Sequence, residues 1–424
     1  MKNYLIKKIN NKSAVIGILG LGYIGLPLAI RFAEEGFKVI GFDIDSSKIK
    51  DNIKSSKISK ILKKNLKVTD DFSKSNKADA LIVCVPTPLK KKKPDLSFVI
   101  DTIKLLQPYF RKNQLLSLES TTYPGTTEEI LLPFIKKKKF KIGKDFFLVY
   151  SPEREDPGNL KYKTKTIPKV VGGLTNNCLE VGIALYKSCI DQVVPVSSTK
   201  VAEMTKLLEN IYRSVNIGLI NEMKIVADKM NIDIYEVIRA ASTKPFGFTP
   251  YYPGPGLGGH CIPIDPFYLT WKAKQIGIDT RFIKLAGVVN TSMPTWVINK
   301  IIKLLKTQGK TLNNLHVLIL GIAFKKNVRD TRESPGVKLM KILKKKGAKV
   351  SYSDPHVPSF PKMRQYNFNL SSIKLSPHSI KKFDLLLIAT DHAKFNYSMI
   401  QKNAKLIVDT RGVYSDYFKN VIKA

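Results

Sequence analysis

A strand, a glycine-rich turn, a helix and a second strand follow one another near the start of the chain. The apolar stretch AVIGIL predicts a buried strand, and the next residues carry the G-x-G-x-x-G spacing in Gly20, Gly22 and Gly25. A helical pattern then ends at Gly36, and KVIGF predicts another strand before Asp43, 18 residues beyond Gly25. This order is typical of a dinucleotide-binding βαβ unit, in which the turn admits a pyrophosphate and the acid binds ribose hydroxyls.

We therefore predict NAD as the cofactor. The carboxylate of Asp43 would repel a 2′-phosphate, which favours NAD over NADP. The turn residues Tyr23 and Ile24 are expected to contact the cofactor together with the three glycines.

Further strands are predicted in ADALIVCVPTP, NQLLSLESTTYPGTT and FFLVYSPERED. Their alternation with helices favours a parallel, doubly wound sheet, which binds ligands at the carboxyl ends of its strands. Thr87, Thr121 and Glu153 all follow such strands and are candidate site residues. Cys84 lies inside a strand and is expected in the core.

A helical pattern over residues 198–230 predicts one long helix, with Ser198 or Thr199 as its N-cap. Lys206, Asn210 and Arg213 recur at i, i+4 and i+7 and therefore share one face of this helix. That face is compatible with a solvated polar stripe or with a site for an anionic substrate, and periodicity does not separate the two.

The alternation of strands and helices restarts at HVLILGIAF, with a helix that begins near Pro335, but this half has no G-x-G-x-x-G. We therefore predict an α/β protein of two Rossmann-like, doubly wound domains joined by a central helical domain with a long spine helix. The predicted boundaries are residues 1–197 for the NAD domain, 198–305 for the central helical domain with the cysteine loop, and 306–424 for the second α/β domain.

The net charge of +37 raises the possibility of a nucleic-acid partner. Lysines are spread along the whole chain without an aromatic-interleaved basic stripe, so we expect no nucleic-acid partner, although a basic surface would suit an anionic substrate. Glycines and a proline interrupt the apolar stretch after the first lysines, so we expect no membrane segment. Four sparse cysteines without C-x-x-C spacing indicate reduced thiols in the cytoplasm.

One cysteine, Cys261, stands in the glycine-rich stretch GPGLGGHCIPID. A thiolate beside NAD indicates aldehyde oxidation, because thiol attack gives a thiohemiacetal whose oxidation leaves a thioester for hydrolysis. The side chains of adjacent residues usually point in different directions, so we do not assign His260, the neighbour of Cys261, to catalysis. Asp265 is expected to order a water molecule or a lysine ammonium near the thiol.

The motifs GLGYIGLPLA, VPTP, ESTTYPGTT, SPERED, KLLENIYRSVN, GLGGHCIPID and GIAFKKNVRDTRESP occur in this order along the chain. Over nearly its whole length the chain resembles the UDP-glucose/GDP-mannose dehydrogenase family. The resemblance implies a homodimer whose C-terminal domain holds the UDP. It also implies oxidation of the sugar C6 alcohol to a carboxylate in two hydride transfers, with two NAD and no metal.

The resemblance also implies roles for individual residues. The catalytic residues would be the nucleophile Cys261 with Lys206, Asn210, Glu153 and Asp265. The NAD contacts would be Gly20, Gly22, Tyr23, Ile24, Gly25, Asp43, Lys48, Thr87, Thr121 and Arg332. The substrate contacts would be Arg154, Glu155, Lys206, Asn210, Arg213, Tyr252, Gly258 and Lys325.

Departures from the family pattern bear on the substrate. Enzymes for UDP-glucose carry a lysine where this chain has Ile264, and the SPER loop with Arg154 and Gly158 resembles the branch acting on UDP-N-acetylhexosamines. Enzymes for UDP-N-acetylmannosamine place a histidine and an arginine where Pro245 and Gly247 stand here. The stretches KPFGF and PGPGLGGHCIPIDPFYL most resemble those of UDP-N-acetyl-D-glucosamine 6-dehydrogenases. The resemblance therefore implies oxidation of that sugar, in the cytoplasm and for polysaccharide biosynthesis.

Three alternatives stay open within the same chemistry: UDP-glucose, UDP-N-acetylgalactosamine and UDP-N-acetylmannosamine as substrate. A further alternative is a binding protein on a dehydrogenase scaffold that has lost its activity. The presence of all five expected catalytic residues argues against that alternative.

Overall fold

The computed structural model describes residues 1–45, 64–91, 93–156, 158–159, 161–259, 262–361, 363 and 368–424. These residues form two compact units, each assembled from two separate stretches of chain. The first unit comprises Met1–Glu209 and Phe267–Ile278, and the second comprises Asn210–Pro266 and Asp279–Ala424.

The first unit is built on an eight-stranded sheet with the spatial order β10-β9-β8-β7-β4-β1-β2-β3. Its strands are β1 Val15–Leu19, β2 Lys38–Phe42, β3 Leu66–Thr69, β4 Ala80–Val83, β7 Gln114–Leu118, β8 Phe146–Tyr150, β9 Lys169–Gly173 and β10 Val193–Val196, and a separate hairpin holds β5 Leu89–Lys90 and β6 Lys93–Pro94. The first six strands of the sheet reproduce the 3-2-1-4-5-6 order of a dinucleotide-binding fold. This agrees with the prediction from the glycine motif.

One pairing departs from the predicted parallel sheet, because β8 and β9 are antiparallel. The described residues between them contain no helix, so the chain turns back beside β8 instead of crossing over. The strand β10 then pairs parallel with β9. The segment that makes this return carries the SPER motif.

Helices cover the sheet on both faces. In the first unit they are α1 Lys2–Asn10, α2 Gly25–Glu34, α3 Ser97–Leu106, α4 Leu132–Lys136 and α5 Asn176–Lys187, with 3₁₀ turns at Phe72–Lys77 and Gln107–Tyr109 and a π turn at Thr127–Leu131. The strands β7, β8 and β9 are buried at every position. Burial on both faces explains the continuous apolar run FFLVY of β8 and the mostly apolar sequences of β7 and β9. Cys84 is part of this core, as predicted.

The long helix α6, Thr199–Lys229, confirms the predicted spine within one residue at each end. Ser198 caps it, because its hydroxyl oxygen accepts a hydrogen bond from the backbone N–H of Val201 at 3.2 Å. The hydroxyl of Thr199 is buried and has no hydrogen-bond partner.

One face of α6 is apolar and exposed to solvent. Its eight large side chains, which we call the α6 stripe, are between 41% and 63% exposed: Val201, Met204, Leu208, Tyr212, Leu219, Met223, Val226 and Met230. Their spacing of three, four and seven residues keeps them on one side of the helix.

The second unit contains a five-stranded parallel sheet with the order β12-β11-β13-β14-β15. Its strands are β11 His316–Leu320, β12 Lys349–Ser353, β13 Leu385–Ile388, β14 Ile407–Asp409 and β15 Val421–Lys423. The order 2-1-3-4-5 is the other common doubly wound arrangement, with its switch point between β11 and β13. The predicted second Rossmann-like half is therefore present.

The remaining helices are α7 Ile234–Ala241, α8 Asp265–Gln275, α9 Arg281–Thr307, α10 Pro335–Lys345, α11 Pro377–Lys381 and α12 Tyr397–Asn403. The helix α10 begins at Pro335, as predicted, and Ser334 caps it by accepting from the N–H of Gly336. Among the described residues, no helix combines the length and the apolar character that crossing a bilayer requires.

Candidate active site

In the turn between β1 and α2, the steric reason for a glycine differs at each of the three positions. Gly20 adopts φ +87°, a left-handed conformation that favours glycine, and a Cβ on Gly25 would overlap the carbonyl oxygen of Gly20. A Cβ on Gly22, in contrast, would meet no atom of the described residues within 4 Å. The protein's own packing therefore explains the first and third glycines, while the space at Gly22 fits a pyrophosphate lying against the backbone.

The carboxylate of Asp43 fixes this turn. Its Oδ2 accepts from the N–H of Leu21 at 2.8 Å, and its Oδ1 accepts from the N–H of Asp45 at 3.0 Å. Each carboxylate oxygen can accept a second hydrogen bond, so the group still fits ribose hydroxyls. Lys48, another expected NAD contact, lies outside the described residues.

The other expected NAD contacts of the first unit lie at or near the carboxyl ends of strands. Tyr23 is half exposed, and Ile24 immediately precedes α2. Thr87 is buried in the loop after β4, and Thr121 is partly buried in the loop after β7. These positions agree with where a doubly wound sheet binds its ligand.

Lys206 and Glu153 form a buried ion pair in the first unit. The ammonium Nζ of Lys206 lies 3.3 Å from Oε2 of Glu153 and donates to the Glu153 carbonyl oxygen at 2.5 Å. The two side chains are only 6% and 10% exposed. Lys206 is therefore not part of a solvated stripe, and it has the burial that makes a cation effective against a developing negative oxygen.

The residues after Glu153 hold its loop in place. Arg154 donates to the carbonyl oxygen of Pro168 at 2.7 Å and pairs with Glu209 at 2.7 Å. Glu155 accepts from the hydroxyl of Thr164, and burial raises the pKa of the Glu155 carboxyl above its ordinary value.

Asn210 and Asp265 form a second buried pair, in the second unit. The side-chain Nδ2 of Asn210 donates to Oδ2 of Asp265 at 2.6 Å, and both side chains are at least nine-tenths buried. Asp265 is the first residue of α8, where the helix dipole stabilises a carboxylate. Asn210 follows Lys206 by four residues on α6, so the helix presents both side chains on one face.

The glycine loop before Cys261 is packed against its own unit. A Cβ on Gly258 would lie 2.7 Å from Cβ of Phe324, and Gly259 has φ +84° with its N–H bound to the carbonyl oxygen of Arg332 at 2.9 Å. Close packing against the side chain of Phe324 therefore requires a glycine at both positions, and Gly259 also needs its left-handed conformation. Cys261 and His260 lie outside the described residues.

Four other expected contacts belong to the second unit. Arg213 and Tyr252 are exposed, and Lys325 is partly buried in the loop after β11. Arg332 forms an ion pair with Asp330, with Nη2 at 2.6 Å from Oδ2. Arg213 is thus the one member of the predicted polar face of α6 that is solvated.

A buried network near Glu153 was not predicted from the sequence. Glu119, directly after β7, is 2.7 Å from the ammonium of Lys169 and accepts from the hydroxyl of Tyr186 at 2.8 Å. Glu119 and Lys169 line a cavity of the first unit together with Glu153, Arg154 and Glu155. The position of Glu119 at a strand's carboxyl end was the available signal.

Glu203 on α6 was also not predicted, and it fixes the loop that follows β7. Its Oε1 accepts from the N–H and the hydroxyl of Thr127 at 2.8 and 2.7 Å, and its Oε2 accepts from the N–H of Gly125 at 2.5 Å. Burial raises the pKa of Glu203 to about 7, although all three donors favour the ionised form.

The helix α8 contacts both loops that carry the expected NAD-binding threonines. The hydroxyl of Tyr268 donates to the carbonyl oxygen of Pro88 at 3.3 Å. The rings of Trp271 and Tyr123 lie 5.1 Å apart between centroids. The part of α8 that belongs to the first unit is thereby fixed to the loops after β4 and β7.

Three family models match this chain in sequence order. They describe the NAD binding domain of the UDP-glucose/GDP-mannose dehydrogenase family over residues 14–190, its central domain over 200–292 and its UDP binding domain over 318–416.

Individual proteins match over almost the full length. The chain is 35% identical over 420 residues to Protein CapL of Staphylococcus aureus, with 96% of this chain and 97% of that protein covered. It is 34% identical to the UDP-N-acetyl-D-glucosamine 6-dehydrogenase of Salmonella typhi, with 90% of each chain covered. The solved UDP-D-ManNAc dehydrogenase of Pyrococcus horikoshii superimposes with a TM-score of 0.85 at 32% identity, covering 96% of this chain and 98% of that one.

Proposed function

This chain belongs to the UDP-glucose/GDP-mannose dehydrogenase family and is an NAD-dependent UDP-sugar dehydrogenase, and we propose that its substrate is UDP-N-acetyl-D-glucosamine. The product would be the corresponding uronate, with the C6 alcohol oxidised to a carboxylate. Among UDP sugars, we favour this substrate because of the sequence motifs in the cysteine loop and the SPER loop.

The proposed conversion removes four electrons from the sugar, as two hydrides, and its atoms and charges balance at each step. The alcohol loses a hydride and a proton to give the aldehyde, and the thiol of Cys261 adds to that aldehyde. Loss of a second hydride and proton leaves a thioester, which water cleaves to the acid and the free thiol. Bound NAD would supply the hydride acceptor for each oxidation, so one sugar would consume two NAD and one water and release three protons, the last from the acid.

We assign the buried ion pair to the oxygen chemistry. The ammonium of Lys206 can donate to the C6 oxygen as negative charge develops on it, at the alkoxide and again at the tetrahedral stages. Glu153 holds that ammonium in place and can order the water that cleaves the thioester. Their low exposure supports this assignment, because charge stabilisation is strongest where water is excluded.

The second buried pair has a positioning role in this proposal. Asp265 stands four residues after Cys261, and Asn210 fixes the orientation of its carboxylate. A carboxylate held in this way can accept a hydrogen bond from a water or an ammonium beside the thiol.

We also propose which residues bind the two nucleotides. The glycine turn, Asp43 and the threonines that follow β4 and β7 would hold NAD, and Arg332 is the further expected NAD contact. The substrate would be bound by Lys325 in the UDP domain and by the remaining expected contacts: Arg154, Glu155, Arg213, Tyr252 and Gly258. Lysine and arginine side chains suit the diphosphate.

UDP-N-acetylmannosamine is the second candidate. The relatives divide between dehydrogenases for the two N-acetylhexosamines, and the Pyrococcus horikoshii structure is of the mannosamine type. Against it, Pro245 and Gly247 occupy the positions where we expect a histidine and an arginine in mannosamine enzymes.

The deciding experiment measures NADH formed per sugar consumed for four substrates: the UDP derivatives of N-acetylglucosamine, N-acetylgalactosamine, N-acetylmannosamine and glucose. We expect two NADH per UDP-N-acetylglucosamine, with kcat/KM highest for that sugar. A matched Cys261→Ser variant should form no acid, because a serine hydroxyl is a weak nucleophile at neutral pH. A higher kcat/KM for another sugar would replace the proposed substrate, and one NADH per sugar would contradict the four-electron reaction.

We further propose a cytoplasmic homodimer. The α6 stripe supports the dimer, because eight large apolar side chains along a helix of about 46 Å form a larger exposed patch than monomers usually carry. The three described cysteines, all free, suit a reducing compartment.

A further inference from the structure

The loop after β11 is held at its start by one carboxylate. Asp354, directly after β12, is buried, and its Oδ2 accepts from the N–H groups of Ile322 and Ala323 at 2.8 and 2.9 Å. Its other oxygen, Oδ1, accepts from the N–H of His356 at 2.8 Å and of Val357 at 3.1 Å. The two oxygens thus have different tasks: Oδ1 orders the residues that follow Asp354, and Oδ2 orders the loop after β11.

His392 extends this hold to the middle of the same loop. The ring is fully buried after β13, and its Nδ1 lies 2.9 Å from the backbone N–H of Asn327 while its Nε2 lies 3.1 Å from Oδ2 of Asp354. Because Nδ1 accepts from a backbone N–H, the ring proton is assigned to Nε2, which donates to the carboxylate. A neutral imidazole in one tautomer therefore connects Asn327 to Asp354.

Asn327 itself is a constrained point of the loop. It has φ +61°, a left-handed conformation, and its side-chain Oδ1 accepts from the N–H of Ala393 at 3.0 Å. The loop is therefore fixed at residues 322–323 and again at residue 327. Lys325 lies between these two points.

This loop lies at the carboxyl end of β11, beside the switch point of the second sheet. Ligands of doubly wound sheets bind at this edge. A lysine reaches a phosphate with four rotatable bonds, so its affinity depends on how well the backbone beneath it is fixed.

We propose that Asp354 and His392 are positioning residues for the UDP part of the substrate, acting through the backbone of the loop that carries Lys325. The inference rests on the proposed function in so far as it takes UDP as the ligand of this loop. Neither residue touches the nucleotide in this account. Their effect is to keep Lys325 in a conformation ready to bind the diphosphate.

Two substitutions of His392 separate its two contacts. In His392→Asn the side-chain oxygen is as many bonds from Cα as Nδ1, so it can still accept from Asn327. In His392→Gln the side-chain nitrogen is as many bonds from Cα as Nε2, so it can still donate to Asp354 but leaves Asn327 without its acceptor. His378, an exposed histidine on α11, gives the control His378→Asn.

The measurement is the dissociation constant of UDP and, separately, of NAD, by titration calorimetry on the full chain. We expect His392→Gln to bind UDP about tenfold more weakly, because a backbone N–H loses its partner, with NAD affinity unchanged. His392→Asn and His378→Asn should bind UDP like the unaltered protein.

The outcomes distinguish this inference from the proposed function. Failure of the unaltered protein to bind UDP would remove the proposed function and the inference with it. UDP binding by the unaltered protein and equally by His392→Gln would overturn the inference alone, and so would an equal loss in His392→Asn and His392→Gln.

A variant that leaves the buried pair intact covers the case in which His392→Gln does not fold. Asn327→Gly accepts the left-handed φ and removes only the bond from Ala393, at an exposed position. We expect it to weaken UDP binding and to leave NAD binding unchanged. Undiminished UDP affinity in this variant would overturn the proposal that the fixed loop positions Lys325.

Discussion

Lys206 and Glu153 neutralise one another where few water molecules reach, and this links stability to chemistry at the residue scale. Removing one partner of a buried ion pair leaves the other charge without compensation, which costs about 3–5 kcal/mol of folding free energy. A loss of activity after substitution of Lys206 could therefore arise from unfolding or from the missing ammonium. The two causes need separate measurements.

We predict that Lys206→Met lowers kcat about 100-fold or more with NAD affinity nearly unchanged, because the developing oxyanion loses its cation. The check is kcat at saturating substrates, with NAD affinity by titration and unfolding by urea. Lys8→Met is the control, because it breaks an ion pair to the buried Asp79, next to the amino end of β4. A similar loss of kcat in Lys8→Met would assign the effect of Lys206 to stability.

Lys224 on α6 is a buried lysine, and its ammonium donates a short hydrogen bond to an oxygen of Ala424. Its Nζ lies 3.3 Å from the carbonyl oxygen of Thr410 and 3.4 Å from the hydroxyl of Tyr235. Burial lowers its pKa from 10.5 to about 7. Between these two values the unfolded chain binds a proton that the folded chain does not, so this group makes the protein more stable as pH rises from 7 towards 10.5.

We therefore predict that the free energy of unfolding of Lys224→Met, compared with that of the unaltered protein at the same pH, is most favourable near pH 7. This advantage should shrink as pH rises towards 9.5. The measurement is the free energy of unfolding of both proteins in urea at several pH values. Lys229→Met, at the exposed end of α6, should follow the unaltered protein at every pH. A difference between Lys224→Met and the unaltered protein that does not vary with pH would contradict the lowered pKa.

At the scale of elements, α6 and the loop after β7 are joined through Glu203. This carboxylate receives three hydrogen bonds from two residues of the loop. The same helix carries Lys206 one turn further on, so the loop after β7 and the proposed catalytic lysine are both held by α6.

We predict that Glu203→Gln speeds amide hydrogen exchange at Gly125 and Thr127, because an amide nitrogen replaces one accepting oxygen. The KM for NAD should rise several-fold in the same variant. The controls are the exchange of Leu116 inside β7, which should not change, and the exposed variant Glu222→Gln. Protected amides at Gly125 and Thr127 would show that the carboxylate is not their acceptor.

Parallel strands buried on both faces were predictable because they appear as continuous apolar runs between helical patterns. The direction of β9 was not, because an antiparallel strand with the same burial has the same composition. The glycine turn could be predicted from the local spacing of its glycines. The partners of Glu203 could not be predicted, because they lie 76 to 78 residues earlier in the chain and a helical pattern assigns no contact to a charged side chain.

The same reason separates the predicted site residues from the missed ones. Lys206 and Glu153 were found through motifs, but their contact spans 53 residues and became visible only in the fold. Asp354 and His392 lie 38 residues apart after two different strands. The sequence around each residue gives no indication that the ring of His392 would form a hydrogen bond with the carboxylate of Asp354.

At the scale of the whole molecule, the exposed α6 stripe indicates how two copies would associate. We predict that Leu208→Asp converts the proposed homodimer into monomers, because a charge would be buried at the centre of the apolar contact. The measurement is molar mass by sedimentation equilibrium. Leu105→Asp, at an exposed leucine of α3, is the control. A monomeric unaltered protein would refute the dimer, and a dimeric Leu208→Asp variant would move the interface away from α6.

The division of each unit into two stretches of chain has a consequence for synthesis on the ribosome. The first unit is complete only when residues 267–278 have been made, because Tyr268 and Trp271 contact the loops at Pro88 and Tyr123. At about 5–20 residues per second, the ribosome needs roughly 3 to 14 seconds to pass from residue 209 to residue 278. During this interval the nascent NAD-binding unit lacks α8, so the ring of Tyr123 is without the Trp271 ring that packs against it in the folded protein.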